Sequence, residues 1–139
     1  MTMNTFFSAR PADLWRAWTE ADLALQWFGS DPLGAGVRAR FDARLGGSYQ
    51  LTFANADGSQ YSCLGRYLEF QPFKTLKFSW GWANTPVVEE IVTLWFREEG
   101  MGTTQTLEHS NIDPHTTHDY SVGWGTTFEK LRKVLSALS

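Results

Sequence analysis

The chain has 139 residues, with twelve Lys and Arg against fifteen Asp and Glu for a formal charge of −3, and it carries seven Trp, ten Phe and four Tyr. This length suits one domain, 1–139, with one core, and the near balance of charge without a like-charged run excludes a nucleic-acid footprint and a polybasic membrane patch. Cys63 is the single cysteine, so no internal disulfide can form; without a basic and then apolar leader, or an apolar run of about 20 residues, the expected compartment is the cytoplasm, with no membrane insertion.

The first stretch, MNTFFSA, is short, aromatic and β-prone. RPADLWRAWT follows with Pro11 and Asp13 where a first helical turn favours them, and Leu14, Trp15 and Trp18 share one face. Trp15 and Trp18 are separated by about 300° of helical rotation and sit on adjoining edges of that stripe, so both are expected to be structural. Thr19 and Asp22 have the spacing of a capping box for a second short helix ending at Trp27, which places Trp27 at the mouth between helix and sheet.

GSDPLGAG ends the helical stretch, and a period of two then runs to about residue 110. In VRARFDARL, Val37, Ala39, Phe41 and Ala43 alternate with Arg38, Arg40, Asp42 and Arg44, which predicts a strand with one buried face. Tyr49, Leu51 and Phe53 continue the pattern. Asp57 and Gly58 supply a tight turn into SQYSCLGRYLEF. Three further strands put Leu76, Phe78 and Trp80, then Val92, Leu94 and Phe96, then Gln105, Leu107 and His109 each on one side. In the last segment Trp124, Phe128, Leu131, Leu135 and Leu138 recur at helical spacing, predicting a long amphipathic helix with only the sheet to cover its stripe.

The order is thus strand, two short helices, six strands, long helix: an α+β chain in which a long helix crosses a curved antiparallel sheet of seven strands. LWRAWT with QWFG, GGSYQLTF, GRYLEFQPFKTLKFSW, TQTLEHSN and GWGTTFEKLRKVL resemble, in order and over nearly the whole chain, the bacterial homologues of the C-terminal domain of the heat-shock-protein-90 ATPase activator. That family belongs to the SRPBCC superfamily, with START domains, polyketide cyclases and the major birch pollen allergen. The resemblance implies a helix-grip fold around a hydrophobic cavity and no universal catalytic set. Trp18, Trp27, Gly47, Tyr49, Trp80, Gly123 and Trp124 match its recurring pattern. Phe28, Ser30 and Gln105 depart from it, the last by placing a polar group where an aliphatic one is usual. The activator's additional N-terminal domain is absent, so a chaperone contact is not expected.

Other constellations carry less. His109, His115 and His118, with Asp113 and Asp119, match no established metal spacing, so no metal and no cofactor are expected. Cys63 with His109 is weighed as a nucleophilic pair against the commoner inert core cysteine. Glu89 and Glu90 are adjacent on a strand and point to opposite faces, so they cannot act as a carboxylate pair. The short glycine runs lack a strand-to-helix context and read as turns.

The leading expectation is a small protein binding a hydrophobic or aromatic small molecule between sheet and C-terminal helix, its cavity lined by Trp27, Phe28, Phe41, Tyr49, Phe78, Trp80, Gln105, His109, Trp124 and Phe128. Gln105, His109 and Tyr49 would orient the ligand, unless Gln105 is a structural amide tied to a neighbour. The alternatives are a cavity enzyme of the cyclase or hydrolase type with His109 as general base, and a chaperone ATPase-regulating module. Base rates among small soluble proteins admit a homodimer.

Overall fold

The computed structural model describes residues 1–138, the side chains of residues 85–87 excepted. The elements are β1 (Thr2–Phe7), α1 (Pro11–Thr19), α2 (Ala21–Ala24), β2 (Ala35–Phe41), β3 (Ser48–Ala54), β4 (Gln60–Gln71), β5 (Thr75–Trp82), β6 (Thr85–Glu99), β7 (Gly102–Ser110) and α3 (Tyr120–Leu138). The strands form one antiparallel sheet in the order β1-β7-β6-β5-β4-β3-β2. Meander hairpins join β2 to β7, and β1 closes the order against β7, because a two-residue period leaves each strand one apolar face to hide beside its neighbour. The result is an α+β, helix-grip-like architecture, as the element order predicts.

The buried face gathers Phe7, Tyr49, Leu51, Phe53, Leu76, Phe78, Trp80, Val92, Leu94 and Leu107. Against it lies α3, whose Trp124, Phe128, Leu131 and Leu135 are buried while Leu138 is half-buried. The contacts across the interface are aromatic edges and faces: Phe7 meets Phe128 at 6.1 Å between ring centroids and Trp80 meets Trp124 at 5.5 Å. Asp119 caps α3, its carboxylate accepting from the Val122 amide at 3.2 Å, which suits the positive end of a helix.

Three local expectations are corrected. Thr19 does not form the capping box: its hydroxyl donates to the Trp15 carbonyl at 2.8 Å, and extended Glu20 stands at the start of α2 without a side-chain cap. The helix ends at Ala24, and turn bonds from Gln26 to Leu23 and Trp27 to Ala24 carry the chain inward, so Trp27 is 1% exposed in the core rather than at the mouth. A bulge between Gly36 and Arg38 breaks the alternation on β2, leaving Val37 42% exposed, and Ala43 lies beyond the strand on the surface. β2 is a sheet edge, where such irregularities are common.

Candidate functional site

Tryptophan brings a large apolar ring and an N–H that needs an acceptor when buried. Most of the acceptors are found inside the fold. Trp18 donates to Gln105 Oε1 at 2.8 Å, Trp27 to the Ala17 carbonyl at 3.1 Å, Trp82 to the Tyr120 hydroxyl at 2.9 Å and Trp124 to His109 Nδ1 at 3.0 Å. Among the described residues three buried side-chain atoms have no partner: Asn55 Oδ1, Trp80 Nε1 and Gln105 Nε2.

The expected cavity residues converge and pack against one another. Trp27, Phe28, Phe41, Tyr49, Phe78 and Trp80 border a void of about 20 Å³. Phe28, Trp80 and Trp124 also border a half-open recess of about 90 Å³ at the N-terminal end of α3, with Phe53, Trp82 and Tyr120 as further walls. Gln105, His109 and Phe128 border neither space. Tyr49 gives its hydroxyl to the Ser79 carbonyl at 2.7 Å.

Outside the recess lies a cleft of about 680 Å³ where the ends of β4, β5 and β6 face the loop before α3. Tyr61, Trp82 and His118 are its aromatic walls, half-buried Asp113 also borders it, and Glu90 is buried at its edge. Trp82 and His118 stack at 4.2 Å and border both the cleft and the recess. Burial lowers the His118 pKa, opposed by the charge of Glu90, and burial pushes the Tyr120 hydroxyl up to about 12.

Behind the cleft runs a buried polar chain. Glu90, 3% exposed, accepts from His109 Nε2 at 2.7 Å through Oε1 and from the Asp113 amide at 3.0 Å through Oε2. An indole N–H can only donate, so the bond from Trp124 makes His109 Nδ1 the acceptor and leaves the proton on Nε2, facing the carboxylate. Burial lowers the His109 pKa, and the N-terminal ammonium near its strand adds to that against the pull of Glu90. His109 is thereby held as the neutral Nε2–H tautomer with no free lone pair, and the geometry gives it no part as a general base.

This tautomer carries a pH expectation. The folded pKa values of His109 and His118 lie below the ordinary 6.5, so between the folded and unfolded values the unfolded chain binds more protons. Stability is then full above that value and falls as pH drops through it, levelling below the folded pKa values. His109→Gln, whose amide offers Trp124 an acceptor and Glu90 a donor without titrating, should remove one proton from the slope of unfolding free energy on pH. Urea melts from pH 7.5 to 5 measure this; an unchanged slope would assign the acid sensitivity elsewhere.

Gln105 is fully buried with Oε1 bonded to Trp18 and Nε2 unpartnered. Gln105→Leu removes one orphan and creates another on Trp18. Each is worth about 1–3 kcal/mol, so they largely cancel and the melting temperature should move little. A large loss in calorimetry would show that Nε2 holds an ordered water.

Some residues are not brought together for chemistry. Cys63 is fully buried and its thiol is pushed up by burial, opposite to an activated nucleophile. His115 stays at the cleft rim while His109 is sealed in the interior, and no metal-like group of three His, Cys, Asp or Glu gathers among the described residues. Glu89 and Glu90 do point to opposite faces, one exposed and one buried. Glu90 itself, Trp82, Tyr61 and Tyr120 are the residues that sequence reasoning misses. The alternation through Val92, Leu94 and Phe96 already puts Glu90 on the inward face, as that through Phe78 and Trp80 does Trp82.

A curved antiparallel sheet gripping a C-terminal helix, with an aromatic mouth beside the helix start, defines a helix-grip protein of the SRPBCC type. The family model described as "Activator of Hsp90 ATPase homolog 1-like protein" matches residues 8–136, and the chain belongs to that family. The fold is shared with a Chromobacterium violaceum protein at 20% identity, covering 97% of this chain and 96% of that one with a TM-score of 0.87. An AHSA1 protein of Silicibacter pomeroyi is similar at 22% identity, covering 100% and 99% with a TM-score of 0.84. An AHSA1-like protein of Aeromonas hydrophila is similar at 19% identity, covering 99% and 94% with a TM-score of 0.75. No curated protein matches. No helix among the described residues is long and apolar enough to cross a membrane.

Proposed function

We propose that the protein binds a small, largely hydrophobic aromatic molecule at this mouth, its ring against Tyr61, Trp82 and His118 and its narrow end directed into the recess beside α3. The observation that carries this reading is the shared wall: Trp82 and His118 border both the 680 Å³ cleft and the 90 Å³ recess. Ligand sites are concave and mostly apolar with a few fixed polar groups, and the cleft supplies aromatic faces over a carboxylate already oriented by His109 and the Asp113 amide. Affinity would come from burying ring area, at about 25 cal/mol per Å². The buried chain of Glu90, His109 and Trp124 fits a supporting role, holding the pre-α3 loop and the helix at the distance the mouth requires.

Titration with 2-naphthol, followed by quenching of tryptophan fluorescence, tests the reading. Saturable binding is expected, weakened at least about tenfold by Trp82→Ala, since a stacked ring contact of about 1.5 kcal/mol is lost. Quenching that never saturates, or that survives both Trp82→Ala and His118→Ala unchanged, would refute it.

A further inference from the structure

The orphaned N–H of Trp80 bears on what the recess holds. Trp80 is 3% exposed and enclosed by Phe28, stacked at 5.9 Å, and by Trp82, Trp124 and His109 at 5.3, 5.5 and 5.7 Å. Among the described residues its Nε1 has no acceptor. Leaving a buried indole N–H unpaired is costly, and native folds avoid it. Acceptors around it serve other donors, the Tyr120 hydroxyl Trp82, His109 Nδ1 Trp124, and the Gly29 and Gly123 carbonyls the Thr127 hydroxyl, and none of the described groups accepts from Trp80 Nε1. Among the described residues nothing pairs with it, so its partner is sought in what fills a space its ring borders, water in the free protein and a ligand atom in the complex.

Of those spaces, the 20 Å³ void has room for one water and for no ligand group, and the third, a groove of about 550 Å³, includes exposed Leu64, Arg66 and Glu89 on the opposite side of the sheet. The recess is the one that meets the aromatic mouth. At about 90 Å³ it is smaller than an engineered cavity of about 150 Å³ that takes benzene, so it fits the end of a molecule and not a whole ring. No Lys or Arg borders it, while Asp119 does, with Glu90 in the cleft beside it. A carboxylate entering there would lose its hydration with no cation to replace it.

We infer that the recess takes an uncharged hydrogen-bond acceptor, such as the carbonyl or ether oxygen of an aromatic compound, presented to Trp80 Nε1–H while the ring stays in the outer cleft. This inference rests on the binding reading above and deepens it: the ligand class narrows to neutral aryl ketones, aldehydes, ethers and their like, against both plain hydrocarbons and aryl carboxylates. The buried donor selects for the oxygen, because a hydrocarbon end would leave the N–H unpaired.

The indole N–H resonances of the 15N-labelled full chain test this with three probes of nearly equal shape. Acetophenone carries the oxygen, α-methylstyrene replaces it by a methylene, and sodium benzoate charges it. Acetophenone is expected to move the Trp80 resonance downfield and to bind about tenfold tighter than α-methylstyrene, the worth of one hydrogen bond. α-Methylstyrene should move the Trp82 and Trp124 resonances without the downfield Trp80 shift, and benzoate should move none of the three. In Trp80→Phe the two neutral probes should bind alike; if that variant does not fold, the wild-type resonances decide alone. An equal Trp80 response to acetophenone and α-methylstyrene, or none while Trp82 responds, would overturn the inference and leave the binding reading standing. A benzoate response equal to that of acetophenone would overturn the requirement for a neutral ligand. Silence of all indole resonances with every probe would sink both readings.

Discussion

Glu90→Ala is expected to lower the free energy of unfolding by about 3 kcal/mol, in the range found when one partner of a buried polar pair is removed. The carboxylate is 3% exposed and accepts from both His109 Nε2 and the Asp113 amide. Alanine strands both donors and releases the segment that leads into α3. Glu90→Gln should cost less but remain clearly destabilising: its carbonyl can accept from one of the two donors, while its NH₂ is turned toward the other. Urea denaturation with a common slope measures this, and for a chain of this size the melting temperature should drop by about 10 °C for the alanine variant. A loss below about 1 kcal/mol for both variants would mean that water replaces the carboxylate and that the chain from Glu90 to Trp124 holds nothing in place.

Gly65→Ala should be of similar size, about 3 kcal/mol or more, for a steric reason. Built on this backbone, a Cβ at position 65 would sit 1.9 Å from the Ser79 carbonyl oxygen and 2.7 Å from its Oγ. That oxygen already accepts from the Tyr49 hydroxyl, and the Ser79 hydroxyl accepts from the Arg66 amide at 2.9 Å. The added methyl must part β4 from β5 between the Leu64–Gly81 and Tyr67–Phe78 pairs. Tyr49→Phe removes only the hydroxyl bond and should cost about 1 kcal/mol. Chemical denaturation of the two variants side by side separates overlap from hydrogen-bond loss; a Gly65→Ala cost no greater than that of Tyr49→Phe would show that the strands have room to part.

The alternation of Phe78 and Trp80, and of Gln105, Leu107 and His109, assigns inward faces correctly, because side chains on a strand can point only two ways. The step of four and three through Trp124, Phe128, Leu131 and Leu135 does the same for α3. Local rules fail where a neighbour overrides them. Val37 is turned out by a bulge at a sheet edge, and Thr19 satisfies the Trp15 carbonyl in place of capping α2. The paired carboxylates show both sides: their opposite faces follow from the pleat, but that the inward one meets His109 depends on β6 lying beside β7 in a particular register, with Val92 opposite His109.

The element order, the antiparallel sheet, the amphipathic closing helix and the inward placement of most aromatic rings are legible in the residues alone, because all of them follow from periods of two and 3.6 and from turn chemistry. The strand alternation also places His109 and Gln105 in the interior. Which hydrogen bonds those groups make depends on long-range packing: Gln105 with Trp18 across 87 residues of chain, and His109 with Glu90 and Trp124 on two other elements. That packing also sets the rings Trp27, Phe28 and Phe78 on one another around a void of about 20 Å³, while the larger space opens at Trp82 and His118. Periodicity tells a side chain which face to take. The volume left between faces depends on how far sheet and helix stand apart, and that distance is set by every contact between them at once.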